Sequence, residues 1–146
     1  MSRIGLTLCA ALLLAGCEEP VVVFAGGELS GTVVPAPDDW SAVDAIDTVQ
    51  LETQPHDPYS INIWAAAVDR DLYVATGPDG TNWTQHIAAD ARVRLRAEGN
   101  IYELDAFLVR DEAERARVAQ AYVRKYDVDE DDSFVTRGMI YRLDRR

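Results

Sequence analysis

Basic residues and cysteines are scarce in this sequence. Lysine and arginine together number 14 against 25 aspartates and glutamates, which gives a formal net charge of -11. A protein that binds nucleic acid needs clustered basic side chains for the phosphates, so this composition argues against nucleic-acid binding. The only cysteines are Cys9 and Cys17, so the chain beyond them has no disulfide, thiolate nucleophile or thiolate metal site. We therefore expect small molecules or proteins as partners.

The N-terminus has the make-up of a secretory signal peptide. Arg3 is followed by an uncharged, mostly apolar run from Ile4 to Gly16, which is shorter than the roughly 20 apolar residues that span a bilayer. The run ends in Leu14-Ala15-Gly16-Cys17, which resembles the lipobox of bacterial lipoproteins. The resemblance implies cleavage before Cys17, a diacylglyceryl thioether on its sulfur and a fatty acyl group such as palmitate on its new amino group.

A lipid on Cys17 would make the membrane one partner of this protein. Two or more acyl chains anchor a protein stably, whereas one chain does so only marginally. Glu18 follows the cysteine, and in the enterobacterial sorting pattern this resemblance implies the outer membrane, with the domain facing the periplasm. Loss of residues 1–16 removes Arg3 and no acidic residue, so the charge of -11 becomes -12.

The rest of the chain is expected to form one domain behind a spacer. Residues 17–37 comprise the lipidated cysteine and a stretch rich in glycine, proline and small residues, which is typical of a spacer. Val21 to Phe24 could instead form an early strand. Residues 38–146 are long enough for a single modest domain.

Alternating apolar residues predict three strands and a short helix in the first half of this domain. The first strand covers Val49 to Thr53, the second Tyr59 to Val68 and the third Leu72 to Thr76, with a turn between the second and third. After a Gly-Pro-Asp-Gly break, apolar residues at helical spacing predict a helix from Asn82 to Ala89.

A hairpin is predicted from Arg92 to Val109, with Gly99-Asn100 as a two-residue loop. That loop fixes the register and leaves Arg92 opposite Phe107, without an acidic partner. Arginines and carboxylates then face each other across the strands, which predicts a solvated ion-pair face. The expected pairs are Ala97 with Tyr102, Leu95 with Leu104, Arg96 with Glu103, and Arg94 with Asp105.

A helix and a final strand complete the domain. Asp111, with Glu114 three residues later, has the spacing of a capping box, and apolar residues at helical spacing follow it. Phe134 to Leu143 predicts the last strand, with Met139, Tyr141 and Leu143 on one side. Predominantly antiparallel strands with helices outside indicate a mainly β fold, a small six-stranded β-barrel with peripheral helices.

This element order resembles the split-barrel, FMN-binding-like superfamily, which contains pyridoxamine-phosphate oxidases, flavin reductases and deazaflavin-dependent reductases. The resemblance covers roughly Ala45 to Leu143. Its strongest local piece runs from Trp83 to Val93, where Trp83 stands at the position of a tryptophan in deazaflavin-binding members. His86 replaces their asparagine, and Ala91 replaces the usual proline. The resemblance implies a homodimer with FMN or a deazaflavin at the dimer interface, and an oxidoreductase activity.

The positions that hold the cofactor phosphate in this superfamily lack basic residues here. They read Tyr59-Ser60 and Thr76-Gly77, and Trp83 stands where the oxidases tend to have lysine. A phosphate dianion needs donors and compensating charge to leave water. Phosphate binding would therefore require Arg92 or backbone amides. Two alternatives stay open: a split-barrel domain related to flavin- and deazaflavin-dependent oxidoreductases, with or without their cofactor, or a non-catalytic envelope lipoprotein that binds a small molecule or a protein.

Seven residues are candidates for cofactor binding at the strand ends around the short helix. Aromatic faces would stack on a flat ring, while amide, hydroxyl and imidazole groups would fix its orientation. The alternative is that both tryptophans belong to the core and that the histidine is a surface or capping residue. The candidates are Tyr59, Asn62, Trp64, Thr76, Trp83, His86 and Arg92.

Two further patterns are considered and set aside. Asp127 to Ser133 has oxygen donors at alternate positions, like the start of a calcium loop, but the glycine at position six and the glutamate at position twelve of such a loop are missing. His56, Asp57 and His86 satisfy the composition of a hydrolase triad, without a Gly-x-Ser-x-Gly elbow. No metal site is predicted, because the two histidines lack ligand spacing.

Overall fold

Alternating apolar side chains build one curled, mostly antiparallel sheet, and helices pack outside it. The structure is a computed structural model that describes residues 26–146. The strands are β1 (Thr32–Val33), β2 (Val49–Thr53), β3 (Tyr59–Ile63), β4 (Ala65–Val68), β5 (Asp71–Thr76), β6 (Arg92–Ala97), β7 (Asn100–Leu108) and β8 (Met139–Arg145). The helices are α1 (Ser41–Asp44), α2 (Asn82–Ala89), α3 (Glu112–Tyr126) and α4 (Ser133–Arg137). The expected signal peptide, Cys17 and the segment from Val21 to Phe24 lie outside the described residues.

The sheet closes toward itself at Trp64. Its strand order is β3-β2-β6-β7-β8-β5-β4, and β1 adds to β7 in parallel. Strands β3 and β4 therefore stand at the two ends of the order, yet Trp64 alone separates them in sequence. One residue spans less than about 4 Å, so the two edges must approach each other there. The predicted mainly β, split-barrel architecture is confirmed, with the second predicted strand divided in two and β1 added.

The break at Trp64 is held open by tyrosines from α3. The hydroxyl of Tyr122 donates to the carbonyl of Trp64 at 3.1 Å. The hydroxyl of Tyr126 accepts from the amide of Ala65 at 3.0 Å. These side chains supply backbone partners that a neighbouring strand would otherwise provide, so the apolar run from Tyr59 to Val68 does not continue as one strand.

The core lies inside the curl of the sheet and continues beneath α3. Leu51, Leu95 and Leu104, on β2, β6 and β7, are fully buried in the inner cluster. A second cluster on the outer face contains Val118 and Tyr122 of α3. Both clusters follow from the alternation of strand residues and the inner face of an amphipathic helix.

The β6–β7 hairpin has a different register from the one predicted. Its loop is Glu98-Gly99, with φ values of 48° and 84°, and Ala97 pairs with Asn100. Both loop residues adopt the left-handed conformation that a two-residue hairpin turn requires. The register differs by two residues, so every side chain keeps its predicted face. Consequently Arg94 lies opposite Glu103, rather than opposite Asp105.

Helix α3 and the final strand agree with the sequence prediction except where the final strand begins. Asp111 caps α3 by accepting from the amide of Glu114 at 2.8 Å, as the capping spacing predicted. Phe134 belongs to the short helix α4, because the side chain of Asp132 accepts from its amide at 2.7 Å and starts a helical turn. Strand β8 therefore begins at Met139 rather than Phe134.

Part of the stretch expected as a spacer contacts the sheet. Gly26 forms a β-bridge with Ser60. The amide of Leu29 donates to the carboxylate of Glu52, and Thr32 pairs with Asn100 in β1. From Gly26 onward this segment thus follows the sheet. Within residues 26–146, no helix is long and apolar enough to cross a membrane.

Candidate functional site

A cleft opens where the two edges of the sheet meet. Its volume is about 440 Å³. Its walls come from the end of β3, the end of β5 with the turn that follows it, helix α2 and helix α4. The lining residues are Thr48, Ile61, Asn62, Ile63, Trp64, Ala75, Thr76, Gly77, Trp83 and Phe134. Four of the seven predicted residues, Asn62, Trp64, Thr76 and Trp83, therefore lie together.

Trp64 forms an aromatic wall of this cleft and remains open to solvent. Its side chain is 43% exposed, although its ring stacks on Tyr126 with a centroid distance of 4.4 Å and an interplanar angle of 8°. Phe134 approaches edge-on at 6.3 Å. The indole is thus fixed by packing on one side while part of its surface is available to a ligand.

Trp83 belongs to the core rather than to the open wall. It is 3% exposed and packs edge-to-face on Tyr141 with a centroid distance of 5.2 Å. Asn62 is exposed and Thr76 is half-buried. These two side chains can offer an amide and a hydroxyl to the edge of a bound ring.

His86 lines a separate hollow, and Tyr59 packs against its ring. The Nδ1 atom of His86 is 3.0 Å from the hydroxyl of Thr53, and its ring meets Tyr59 edge-on at 5.0 Å. The hollow has a volume of about 390 Å³ and is lined by Gln54, Pro55, His56, Gln85, His86, Ala89 and Asp90. The seven predicted residues are therefore divided between the cleft, this hollow and a third hollow that Arg92 lines.

Arg92 has an acidic partner that the sequence interpretation missed. Its guanidinium lies 2.6 Å from the carboxylate of Asp90, and the register places Asp105 rather than Phe107 opposite it. This arginine holds the pKa of Asp90 down to about 2, chiefly through the side-chain hydrogen bond. Arg92 also approaches Nε2 of His56 at 3.5 Å, so its charge is directed away from the cleft.

Arg94 and Arg96 lie on a polar face, with partners other than those predicted. Arg94 donates to both carboxylate oxygens of Glu52 at 3.0 and 3.1 Å. Arg96 donates to the side chain of Gln50 at 2.8 Å. These partners come from β2 rather than β7, and each lies directly opposite its arginine in the β2–β6 register.

The cleft does not fit a flavin phosphate. The ten residues that line it include no lysine, arginine or histidine. Asn62 and Thr76 offer hydrogen bonds but no positive charge. A phosphate dianion would leave water there without a compensating cation, which is unfavourable.

The residues of the possible hydrolase triad and of the acidic loop are not arranged as a site within the described residues. Asp57 accepts from the side chain of Gln54 at 3.4 Å, and no hydrogen bond joins it to either histidine within the described residues. Asp132 serves as the cap of α4. Across residues 26–146, no group of three or more histidine or acidic side chains is placed to hold a metal ion.

The cleft residues that sequence reasoning missed include Thr48 and Phe134, and it also missed Tyr126, which supports the ring of Trp64 from behind. Tyr126 has the helical spacing of an inward-facing α3 residue, but its contact with Trp64 joins residues far apart in the chain. Phe134 was expected in a strand. Its role depends on the local helix that Asp132 starts.

Solved structures share this fold at low sequence identity. A candidate pyridoxamine 5'-phosphate oxidase from Listeria innocua has a TM-score of 0.57 and 14% identity, over 73% of this chain and 89% of that chain. A FAD-binding protein from Mesorhizobium loti has a TM-score of 0.56 and 16% identity, over 77% and 91% of the two chains. The heme storage protein HutZ from Vibrio cholerae has a TM-score of 0.54 and 15% identity, over 68% and 82%.

These similarities confirm the split-barrel fold that the sequence predicted. No curated protein matches the sequence. Residues 39–140 match the family described as "Uncharacterized protein conserved in bacteria (DUF2255)". The match covers more than half of the chain, and the protein belongs to the DUF2255 family.

Proposed function

We propose that this protein is a lipid-anchored envelope protein whose cleft binds a planar heteroaromatic ring of the flavin type. The observation that carries the proposal is Trp64, a large aromatic side chain that is 43% exposed while held flat against Tyr126. A tryptophan immobilised in this way loses little further conformational entropy when a ring stacks on it. The fold is shared with a FAD-binding protein and a heme storage protein, which supports a flat ligand.

The cleft offers binding groups rather than acid–base groups. Its ten lining residues include no aspartate, glutamate, histidine, cysteine, lysine or arginine. The side chains can stack on a ring and hydrogen-bond to its edge through Asn62 and Thr76. Redox chemistry, if the ligand is a flavin, would be supplied by the ligand itself. This lining favours the second candidate function, a non-catalytic carrier or sensor of a ring compound, over acid–base catalysis by the chain.

Titration with riboflavin tests ring binding directly. Quenching of riboflavin or tryptophan fluorescence reports the dissociation constant for the wild type and for Trp64→Ala. Stacking of one ring on an aromatic side chain is worth about 1–3 kcal/mol, so we expect the variant to bind between about fivefold and about 150-fold more weakly.

Phe107→Ala is the matched control. Phe107 is 47% exposed, close to the exposure of Trp64, and it lines a different hollow. Its replacement should leave riboflavin affinity unchanged. Equal loss in both variants would indicate unspecific apolar binding and contradict the proposed site. No binding of riboflavin, a deazaflavin or heme by the wild type would refute ring binding.

The lipid anchor rests on Leu14 to Cys17. Expression of the full chain in bacteria with a labelled fatty acid should place the label on the wild type and sediment the protein with membranes. Cys17→Ser should lose both the label and the sedimentation. An unlabelled wild type would refute the anchor, and it would leave the ring-binding proposal to its own experiment.

A further inference from the structure

We propose that the cleft selects ring ligands that carry no phosphate, so that riboflavin binds more tightly than its phosphate ester FMN. This inference rests on the proposed function, because it concerns the ligand class of the same cleft. It departs from what the split-barrel resemblance implies, which is a phosphorylated flavin or deazaflavin.

Apart from Arg137 of α4, which lines a different hollow, the elements that build the cleft are almost free of basic residues. The sequence contains no lysine or arginine in residues 4–69 and none in residues 71–91. Strands β2 to β5 and helix α2 all fall in this part of the chain, and it includes nine of the ten lining residues. The exception to this shortage is Arg70, in the turn before β5, and its guanidinium pairs with Asp38 at 3.3 Å.

Lys125 is near the aromatic wall but its ammonium group is already occupied. Its Nζ lies 5.0 Å from the ring centroid of Tyr126, which stacks on Trp64. The same nitrogen donates to the carbonyls of Ile46 at 3.0 Å and Ala65 at 2.6 Å. It also pairs with Asp44 at 3.6 Å. An ammonium has three protons, so binding a phosphate here would require breaking contacts that hold α3 against the sheet.

Arg92, which the sequence analysis considered as a phosphate ligand, forms an ion pair away from the cleft. Arg92 pairs with Asp90 at 2.6 Å, and it lines a different hollow together with Glu52 and Arg94. The chain as a whole has a formal charge of -11, so a dianion approaching it is repelled at long range. The local contacts of Arg92 and the overall negative charge therefore both disfavour binding of a phosphate.

The experiment compares riboflavin and FMN, which share the ring and differ by the phosphate. Full-length protein is titrated with each under the same buffer conditions, at low and moderate salt. We expect riboflavin to bind at least about tenfold more tightly, a difference of about 1.4 kcal/mol. Added salt should strengthen FMN binding, because it screens the repulsion, and should leave riboflavin binding nearly unchanged.

A variant that gains FMN affinity gives a second test of the selection, because a misfolded protein would not show such a gain. Thr48 is exposed and lines the cleft. Thr48→Lys adds a cation at the rim and should raise the affinity for FMN several-fold relative to the affinity for riboflavin. Thr48→Gln, with a long neutral side chain, is the matched control and should not favour FMN.

The outcomes separate the two proposals. FMN binding as tightly as riboflavin, or more tightly, with the Trp64→Ala loss intact, would overturn the selection while the ring site stands. Binding of neither compound would overturn the selection, and failure of a deazaflavin and heme to bind as well would overturn the ring site on which it depends. A preference for riboflavin that Thr48→Lys reduces and Thr48→Gln does not would support both.

Discussion

Glu52 on β2 connects this strand to β6 and to the N-terminal segment around Leu29. Its replacement by alanine is expected to weaken both connections. The side chain is 4% exposed. Its carboxylate accepts from Arg94 of β6 at 3.0 and 3.1 Å and from the backbone amide of Leu29. The segment that begins at Gly26 is thus tied to the sheet by a carboxylate whose charge is balanced by one arginine.

The size of the effect follows from what Glu52→Ala would leave unpaired. Removing one partner of a buried ion pair costs about 3–5 kcal/mol. Arg94 is 22% exposed, can recover part of its hydration and keeps Glu28 as a partner at 3.7 Å, so the lower end applies. The amide of Leu29 also loses its acceptor. We expect the free energy of unfolding to fall by about 3 kcal/mol, which corresponds to a decrease in Tm of roughly 10 °C for a domain of this size.

Urea denaturation measures the stability loss, and hydrogen exchange locates it. The amides of Thr32 and Val34 donate to the carbonyls of Gly99 and Ile101 at 2.9 and 3.0 Å. Their protection should decrease in Glu52→Ala, because the strand they form with β7 is no longer tied to β2 through Leu29.

Glu103→Ala is the control for this change. Glu103 lies opposite Arg94 in the β6–β7 register and is exposed, so it removes a nearby carboxylate of the same type. Its stability should change by no more than about 0.5 kcal/mol. Equal stability losses in the two variants would refute the assignment of Glu52 as the partner of Arg94 and of the N-terminal segment.

Three other changes test separate parts of the structure. Gly99→Ala should cost about 1 kcal/mol in urea denaturation through backbone strain alone, because its φ is +84° and an added Cβ would meet nothing within 4 Å; an unchanged midpoint would contradict the turn. Leu104→Ala should cost about 2–5 kcal/mol, because Leu104 is fully buried, and a loss under 1 kcal/mol would contradict its place in the core. Asp90 should titrate in an NMR carboxyl experiment with a pKa of about 2 instead of the ordinary 3.8; its stabilising contribution is present above the ordinary pKa and is lost as pH falls through the lowered one. In Arg92→Gln the midpoint should return toward 3.8, and an unmoved midpoint would contradict the ion pair.

Local sequence signals were sufficient for much of the fold. Asn82 to Ala89 was predicted as a helix and is observed as α2 with the same bounds. The spacing of Asp111 and Glu114 predicted the start of α3. The structure shows the expected cap, in which the side-chain oxygen of Asp111 accepts from a free helical amide. Such features depend on residues three or four apart, which the sequence displays directly.

The hairpin shows where local signals become ambiguous. Gly99-Asn100 and Glu98-Gly99 are both plausible two-residue loops, and the structure uses the latter, with Glu98 at a φ of 48°. Alternation fixed the faces but could not distinguish registers that differ by two residues. The partner of Arg94 was missed for a further reason, because Glu52 comes from a strand that neighbours β6 only in the folded sheet.

The candidate site was predicted only in part. Asn62, Trp64, Thr76 and Trp83 do converge, because they fall at the ends of strands and on α2 next to the split in the sheet. His86 is separate because its imidazole is fixed by Thr53, a contact across 33 residues. Whether a tryptophan is core or exposed wall depends on such distant contacts, so Trp83 and Trp64 could not be distinguished from their sequence neighbours.

NMR of the three tryptophan indole N–H groups during a riboflavin titration tests ring binding at the cleft most directly. Trp64 stands in the open wall, Trp83 in the core beneath it, and Trp40 is buried in the inner cluster. The account predicts the largest shift for the indole of Trp64, a smaller one for Trp83 and none for Trp40. An unmoved Trp64 signal at saturating riboflavin, or a shift confined to Trp40, would contradict it.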